Sequence, residues 1–139
     1  MDWLTFTGFP WLGALLAFVA TFILGSLWYS PRMFFRPWQR AVGFTDEDMK
    51  NANMGLSFSQ MAIGNVIGLV ILAMLLVGLG VDSWSGAAVT GAVVGFAMRG
   101  GAHLVHDGFA LRSPVATWID IAHDTVSLAL AGLIMGLFL

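Results

Sequence analysis

The stretch RGGAHLVHDGFALRSPVATWIDIAHDTVS, residues 99–127, decides how this chain folds. It holds three histidines and three aspartates, and all six fall in two short echoes, HLVHD at 103–107 and DIAHD at 120–124. Between the echoes, Leu111–Pro114 predicts a turn, because proline ends a helix and disfavours helical backbone at the residue before it. If both flanks are helices that fold back on each other, the ionisable groups meet at one depth.

The sequence around this stretch is too apolar to cover a water-facing surface. Of the 139 residues, 58% are hydrophobic and only 10% are charged. Soluble domains have about a quarter of their residues charged, so the lipid bilayer is the expected solvent and partner. The absence of cysteine excludes disulfides and thiolate metal sites. A net charge of −2 with scattered basic residues gives no basis for nucleic-acid binding.

Four apolar segments are long enough to cross the membrane, since about 20 helical residues span the hydrocarbon core. We place these spans at about 10–30, 58–79, 85–110 and 115–138. The expected fold is therefore all-α, a single transmembrane domain over residues 1–139 built as a four-helix bundle. Glycines four residues apart, at 64 and 68, 91 and 95, and 132 and 136, predict close helix packing within the chain. The first residues lack the positive segment of a cleaved signal peptide, so we expect them to be retained.

Residues 31–57 are the long polar stretch and contain four of the six basic residues. Arginines alternate here with aromatic residues, which is typical of an amphipathic segment that lies against phosphate headgroups. The predicted headgroup contacts are Arg32, Arg36, Arg40 and Trp38. Thr45 and the acids after it predict a helix start, and we expect that helix to run unbroken into the second span. By the positive-inside rule this loop is cytoplasmic and both termini lie outside.

Antiparallel pairing about the turn sets residues whose numbers sum to about 225 at equal depth. Arg99 then lies about 18 Å from the tip, at 1.5 Å per residue, and one helical turn from Asp124. An unpaired charge near mid-bilayer costs roughly 2.5–3.5 kcal/mol, so the charged groups must face inward and neutralise one another. Helix periodicity puts residues 91, 95, 99, 103 and 106 on one face of the third span, and 117, 120, 124 and 127 on one face of the fourth. The predicted cluster is Arg99, His103, His106, Asp107, Asp120, His123 and Asp124.

Three interpretations of this cluster are open. In a structural staple, Arg99 pairs with Asp124 and the histidines hydrogen-bond the other acids, which pins the third span to the fourth. A proton or small-solute pathway uses histidines that titrate near neutrality beside carboxylates. A divalent metal site takes helix-borne ligands spaced three or four residues apart, although Arg99 beside a cation is unfavourable. The candidate metal ligands are His103, His106, Asp120, His123 and Asp124.

Motifs at the end of the first span point to a known family. GSLWYSP at 25–31, Trp38, and GFTDED at 43–48 resemble the small bacterial membrane proteins grouped as domain-of-unknown-function family 1761. Asn53-Met54 and Met135-Gly136 fit the same pattern. The resemblance implies a four-helix, multi-pass protein of the bacterial inner membrane. It implies no activity, because the family has none assigned, and the two His–Asp echoes are interpreted from the residues alone.

From these observations we expect a non-enzymatic, oligomeric membrane protein whose cluster supports proton or small-solute passage. The alternatives are a structural or accessory subunit of a larger membrane complex and a metal-dependent membrane enzyme. We expect no cofactor, except a divalent metal in the last case. Nucleophilic catalysis has little support, because Ser127 near His123 would also need an oxyanion hole and a path for water.

Overall fold

The computed structural model describes residues 4–139, and this part of the chain consists of helices and turns. Its elements are α1 (Trp11–Trp28), α2 (Phe35–Val42), α3 (Asp46–Asn51), α4 (Met54–Gly78), α5 (Trp84–Val94), the π-helical segment Gly95–Gly100, α6 (Gly101–Asp107) and α7 (Pro114–Gly136). The prediction that the first residues are retained concerns residues 1–3, which lie outside the described residues.

Four helical segments of the described chain are long and apolar enough to cross a membrane. They are Trp11–Trp28, Met54–Gly78, Trp84–Asp107 and Pro114–Gly136. The prediction of an all-α chain with four spans is therefore confirmed, although some bounds shift. The second span begins at Met54 rather than 58, because the Asn53 side chain accepts a hydrogen bond from the Leu56 backbone N–H at 3.0 Å and caps the helix.

The prediction of one unbroken helix from Thr45 into the second span is wrong. The chain breaks after α3, where Ala52 is extended with φ −65° and ψ 139°. Thr45 does start α3 as predicted, since its hydroxyl accepts from the Asp48 N–H at 3.1 Å and the Asp48 carboxylate accepts from the Thr45 N–H at 2.8 Å. Hydrogen bonds from the hydroxyl and the backbone of Thr45 hold the pKa of Asp48 below its usual range.

One half of the bundle is packed at backbone distance, and α5 and α7 are its closest pair. Gly91 lies against the Leu128 carbonyl and Gly132 against the Ala87 carbonyl, with no room for a β-carbon at either glycine. These glycines pack helices within one chain, as predicted. We call this end of the bundle the closed half. Its buried core is Ala17, Leu69, Leu72, Ala73, Leu76, Ala87, Leu128, Ala131 and Met135.

The other half of the bundle, which we call the open half, lies next to the 29–57 loop. Here the first part of α4 is loosely packed: positions 54–61 are all exposed, Phe58 meets Phe22 of α1, and the first buried residue of α4 is Leu69. The boundary between the halves is marked by the Asn65 amide, which donates to the Thr21 hydroxyl at 2.9 Å. Helix α2 packs on α7 beside this opening. The two halves therefore differ mainly in how far α4 stands from α1 and α7.

The register between the third and fourth spans differs from the predicted one. Gly91 meets Leu128 and Gly95 meets Thr125, so paired numbers sum to about 219 or 220 rather than 225. The helix ends at Asp107 and Pro114 centre the turn near residue 110 rather than 112. The π-helical segment also fits one additional residue into the third span. Both effects lower the sum.

The π-helical segment also changes which residues of the third span face α7. The inward positions step by four up to Gly95, then by five to the buried Gly100, as the i→i+5 pattern of a π-helix requires. They continue through His103 to Asp107, which contacts α7 through Thr117. The prediction that residues 99 and 106 share this face is wrong, because Gly100 and Asp107 occupy those places.

Candidate functional site

Four side chains of the third and fourth spans form what we call the acid–imidazole chain: Asp107, His103, Asp124 and His123. His103 stands between two carboxylates, with Nδ1 3.4 Å from Asp107 Oδ2 and Nε2 3.7 Å from Asp124 Oδ2. The Nδ1 atom of His123 lies 3.3 Å from Asp124 Oδ1. Carboxylates and imidazoles thus alternate from the end of α6 to the middle of α7.

Arg112, which the predicted cluster did not include, joins this chain to Asp120. Its Nη1 donates to Asp107 Oδ2 at 3.0 Å, and its Nη2 donates to Asp120. The Thr117 hydroxyl also donates to Asp107, at 2.6 Å. Burial by itself would lower the pKa of Arg112, but the hydrogen bond and charge of Asp120 outweigh it and the pKa is raised. A single guanidinium of the turn therefore bridges two carboxylates, one on α6 and one on α7.

Tyr29 is a second residue of the site that sequence analysis missed. Its hydroxyl donates to Asp120 Oδ1 at 2.5 Å and ties the end of α1 to α7. Burial and this hydrogen bond raise the pKa of Tyr29, so the phenol stays protonated and keeps donating. Its aromatic ring also lies 5.2 Å from the ring of His123. The available sequence signal was its place at the loop end of the first span, level with the turn.

Arg99 lies beside Asp124, with Nη1 3.8 Å from Oδ1. Its Nη2 is 3.5 Å from the Gly64 carbonyl. A β-carbon at Gly68 would collide with Nη2, so this glycine makes room for the guanidinium on the surface of α4. The pair at 64 and 68 was predicted to pack helices, but nothing lies within 4 Å of where a Gly64 β-carbon would stand. This pair of glycines accommodates the Arg99 side chain instead.

His106 lines a second pocket with Arg99, His103, Asp107 and Asp124, but it is not bonded to the rest of the predicted cluster. It lies on the exposed side of α6, and its ring makes no hydrogen bond or ion pair within residues 4–139. The five-residue step at the π-helical segment accounts for this position, because it gives the inward place to Asp107. The cluster thus keeps six of its seven predicted members, Arg99, His103, Asp107, Asp120, His123 and Asp124, and gains Arg112 and Tyr29.

The residues predicted to contact headgroups have different surroundings. Arg32 and Arg40 are exposed, and Arg36 is exposed with its Nη1 3.6 Å from Asp46 Oδ1. Trp38 is half-buried, and its ring meets that of Tyr29 edge-on at 5.6 Å between centroids. The arginines therefore remain free to meet headgroups, whereas Trp38 turns toward the site.

The open half contains a cleft of about 890 Å³ between α1, α4 and α7. Its walls are largely aromatic and methionine side chains, and its polar residues include Arg99, His123, Asp124, Asn65 and Tyr29. The volume falls within the roughly 300–1,000 Å³ typical of small-molecule sites. Two buried nitrogen atoms on its lining residues, Trp38 Nε1 and His123 Nε2, have no hydrogen-bond partner in the described chain.

The metal interpretation finds little support in this geometry. Across residues 4–139, no group of three or more histidine, aspartate or glutamate side chains is arranged to hold a metal ion. Arg112 and Arg99 occupy positions next to the carboxylates, and a cation there would meet like charge.

This fold and site define a class of small helical proteins with four membrane-span-like helices, a polar cluster between the last two, and a cleft beside it. Residues 12–136 match the family described as protein of unknown function (DUF1761), and the chain belongs to that family. The resemblance seen in the sequence is thereby confirmed over nearly the whole chain. No curated protein and no solved structure matches it. The site itself therefore has to indicate the function.

Proposed function

We propose that this protein is a transport-like membrane protein that binds a small solute in the cleft and conducts protons along the acid–imidazole chain. The observation that carries the proposal is His103, which has one carboxylate near each ring nitrogen, at 3.4 Å and 3.7 Å. An imidazole in this position can take a proton at one nitrogen and release one from the other. Titratable groups within spans mark such relays in pumps and transporters.

The two ends of the chain have different surroundings. Asp107 adjoins the turn at 108–111, where Phe109 and Leu111 are more than nine-tenths exposed. His123 and Asp124 line the cleft. The chain therefore joins the surface of the turn to the cleft, which supports proton exchange between one side of the membrane and a bound solute.

Access to this site is proposed from one side of the membrane. In the closed half, helix backbones touch at Gly91 and Gly132, so passage requires these helices to separate during each cycle. Slow, carrier-like movement is therefore expected rather than a channel current. Basic residues sit in both loops at the open end, which supports a cytoplasmic opening, outside termini and an inner-membrane location.

Proton flux in vesicles tests this proposal. The wild-type chain and the His103→Gln and Asp124→Asn variants are reconstituted with a pH-sensitive dye inside, and a voltage is imposed. The wild type is expected to move protons faster than protein-free vesicles, and both variants are expected to fall to the protein-free level. His106→Gln is the matched control, since this histidine lies on the same helix outside the chain and should keep wild-type flux.

Two results would contradict the proposal. One is wild-type flux no faster than that of empty vesicles. The other is unchanged flux in a His103→Gln protein whose helical circular dichroism matches the wild type. Either result favours the structural staple, in which the same contacts only pin the third span to the fourth.

A second candidate is an accessory subunit, either in a homo-oligomer or in a larger membrane complex. The observation that favours it is the exposed first part of α4, which presents Ser57, Ser59 and Gln60 beside apolar residues. The Gln60 amide, which lies at the edge of the cleft, has no hydrogen-bond partner within the described residues, and an adjoining subunit would supply one. Native mass measurement from nanodiscs tests this candidate: a monomer with no copurified protein would exclude it.

A further inference from the structure

We infer that the solute of the cleft is an amphipathic organic anion, with a carboxylate or phosphate head at Arg99 and an apolar chain between α1 and α4. This inference rests on the proposed function, because it names the solute class of the same site. It uses different observations, however: the walls of the cleft and the surroundings of one guanidinium.

The walls of the cleft suit an apolar chain. Phe22 on α1 and Phe58 on α4 pack against each other with ring centroids 6.3 Å apart and form one wall of the cleft, and Met54 and Met61 extend the apolar surface along α4. All four residues are exposed, so the cleft opens sideways between the two helices. In a membrane this opening faces acyl chains, which gives an amphipathic molecule a route from the bilayer into the cleft.

Arg99 supplies the charge at the polar end of the cleft. Its nitrogens lie 3.8 Å from the Asp124 carboxylate and 3.5 Å from the Gly64 carbonyl, both longer than a normal N–H···O hydrogen bond of about 2.7–3.2 Å. A guanidinium has five N–H donors, so most of them lack a close acceptor among residues 4–139. Asp124 has His103 and His123 as additional neighbours, which leaves Arg99 free for a second anion.

The position of the guanidinium depends on Gly68. A β-carbon there would collide with Nη2 of Arg99, so in the present position the planar group lies directly against the backbone of α4 at this glycine. Gly64, one turn earlier, keeps the neighbouring surface open. A planar fork of donors beside open space is the arrangement that binds carboxylate or phosphate through two parallel hydrogen bonds.

The charge of Arg99 distinguishes an anionic head from a cationic one. A carboxylate or phosphate oxygen can accept from the guanidinium, whereas a quaternary ammonium head would face Arg99 with like charge.

Four probes with the same ten-carbon chain and a terminal bromine test the inference. Their heads are a carboxylate, a phosphate, an alcohol and a trimethylammonium group, and bromine quenches tryptophan fluorescence on contact. The full chain is held in phosphatidylcholine nanodiscs, and nanodiscs carrying Trp38→Phe protein give the background. The carboxylate or phosphate probe should quench at about tenfold lower concentration than the alcohol, as charge-assisted hydrogen bonds predict. The ammonium probe should bind most weakly.

Substitutions then assign the head to Arg99. Arg99→Gln should remove the preference for anions, and Arg99→Lys should keep part of it, because the charge remains but the fork is lost. Arg40→Gln, at an exposed arginine of α2, should bind as the wild type does. Tighter binding of the carboxylate probe would indicate a fatty-acid-like solute, and tighter binding of the phosphate probe would indicate a phospholipid-like one.

Equal quenching by all four heads would overturn the inference, since it would mean that only the apolar chain partitions into the cleft. Tighter binding of the ammonium probe would overturn it as well, by making Asp124 the recognising group. Neither result bears on proton flux through His103. Conversely, the vesicle experiment could show no proton flux while the anion preference remains. The protein would then be a binding protein without a proton pathway.

Discussion

The closed half and the open half of the bundle use the same helices but pack them in opposite ways. In the closed half, Gly91 and Gly132 bring the backbones of α5 and α7 into contact, and Ala17 and Ala87 are fully buried. In the open half, the His103–Asp124 pair and the hydrogen bond from Thr117 to Asp107 join α6 to α7, and the first part of α4 is exposed. Apolar character takes all these helices into the membrane, but small residues decide which of them touch.

The largest effect is expected where the closed half has no spare volume. Gly91→Leu places a side chain against the Leu128 carbonyl and should lower the free energy of unfolding by about 3 kcal/mol. Gly64→Leu is the matched control, because its β-carbon meets nothing within 4 Å and it removes a glycine from a helix in the same way. Unfolding in mixed micelles by added dodecyl sulfate measures both. Equal losses would mean that the two halves do not differ in packing.

Removing Arg112 should give the next largest effect, now in the open half. Arg112→Gln leaves Asp107 and Asp120 without their shared cation, and a loss of about 2 kcal/mol is expected, since the guanidinium is partly exposed and the cost is below that of a fully buried pair. The same titration measures it. Arg40→Gln, at an exposed site, should change the stability by less than about 0.5 kcal/mol. If Arg112→Gln has the same free energy of unfolding as the wild type, the ion pairs of Arg112 contribute nothing to stability.

The boundary between the halves depends on one hydrogen bond, and its loss should be smaller. Thr21→Val removes the acceptor of the Asn65 amide and should cost about 0.6 kcal/mol, the average for such bonds between membrane helices. Thr90→Val is the control, because the Thr90 hydroxyl bonds only to the Gly86 carbonyl of its own helix. If both variants lose equal stability, α4 is not held to α1 at this point.

The smallest effect is expected in α3, beside the mouth of the open half. Because the pKa of Asp48 lies below 3.8 in the folded chain, its contribution to α3 is fully present above that pH and is lost as the pH falls through the lowered pKa. The protection factors of the amides of residues 45–51, which compare each exchange rate with the intrinsic rate at the same pH, should therefore fall in acid. Asp48→Asn should exchange faster than the wild type at neutral pH, and Glu47→Gln should match the wild type.

Features that depend on nearby sequence could be predicted. The spans follow from runs of apolar residues, the start of α3 from Thr45 and the acids after it, and the turn from Pro114. Arg99 and Asp124 lie together although the predicted register is about five too high, because an arginine side chain is long enough to bridge the difference. A contact between long side chains can be predicted from an approximate register, whereas a contact at a glycine requires the correct register.

Features that depend on distant packing could not be predicted. The π-helical segment arises where Gly95 and Gly100 fit against α7, and no local propensity indicates a five-residue step. Tyr29 reaches Asp120 from 91 positions away along the chain. Arg112 looked like an ordinary loop charge until the end of α6 placed it between two carboxylates. The cleft is a space between helices, and the hydropathy of the sequence does not predict how far apart the helices lie.

The π-helical segment has a consequence for chain length. A π turn holds one residue more than the α turn that it replaces, so deleting one residue between 95 and 100 can restore regular winding without rotating the residues of α6. We expect such a shortened chain to keep its histidine between the two carboxylates, because α6 keeps its orientation toward α7. Proton flux would then survive a single codon deletion in the middle of a span, where an ordinary α-helix would rotate every residue that follows.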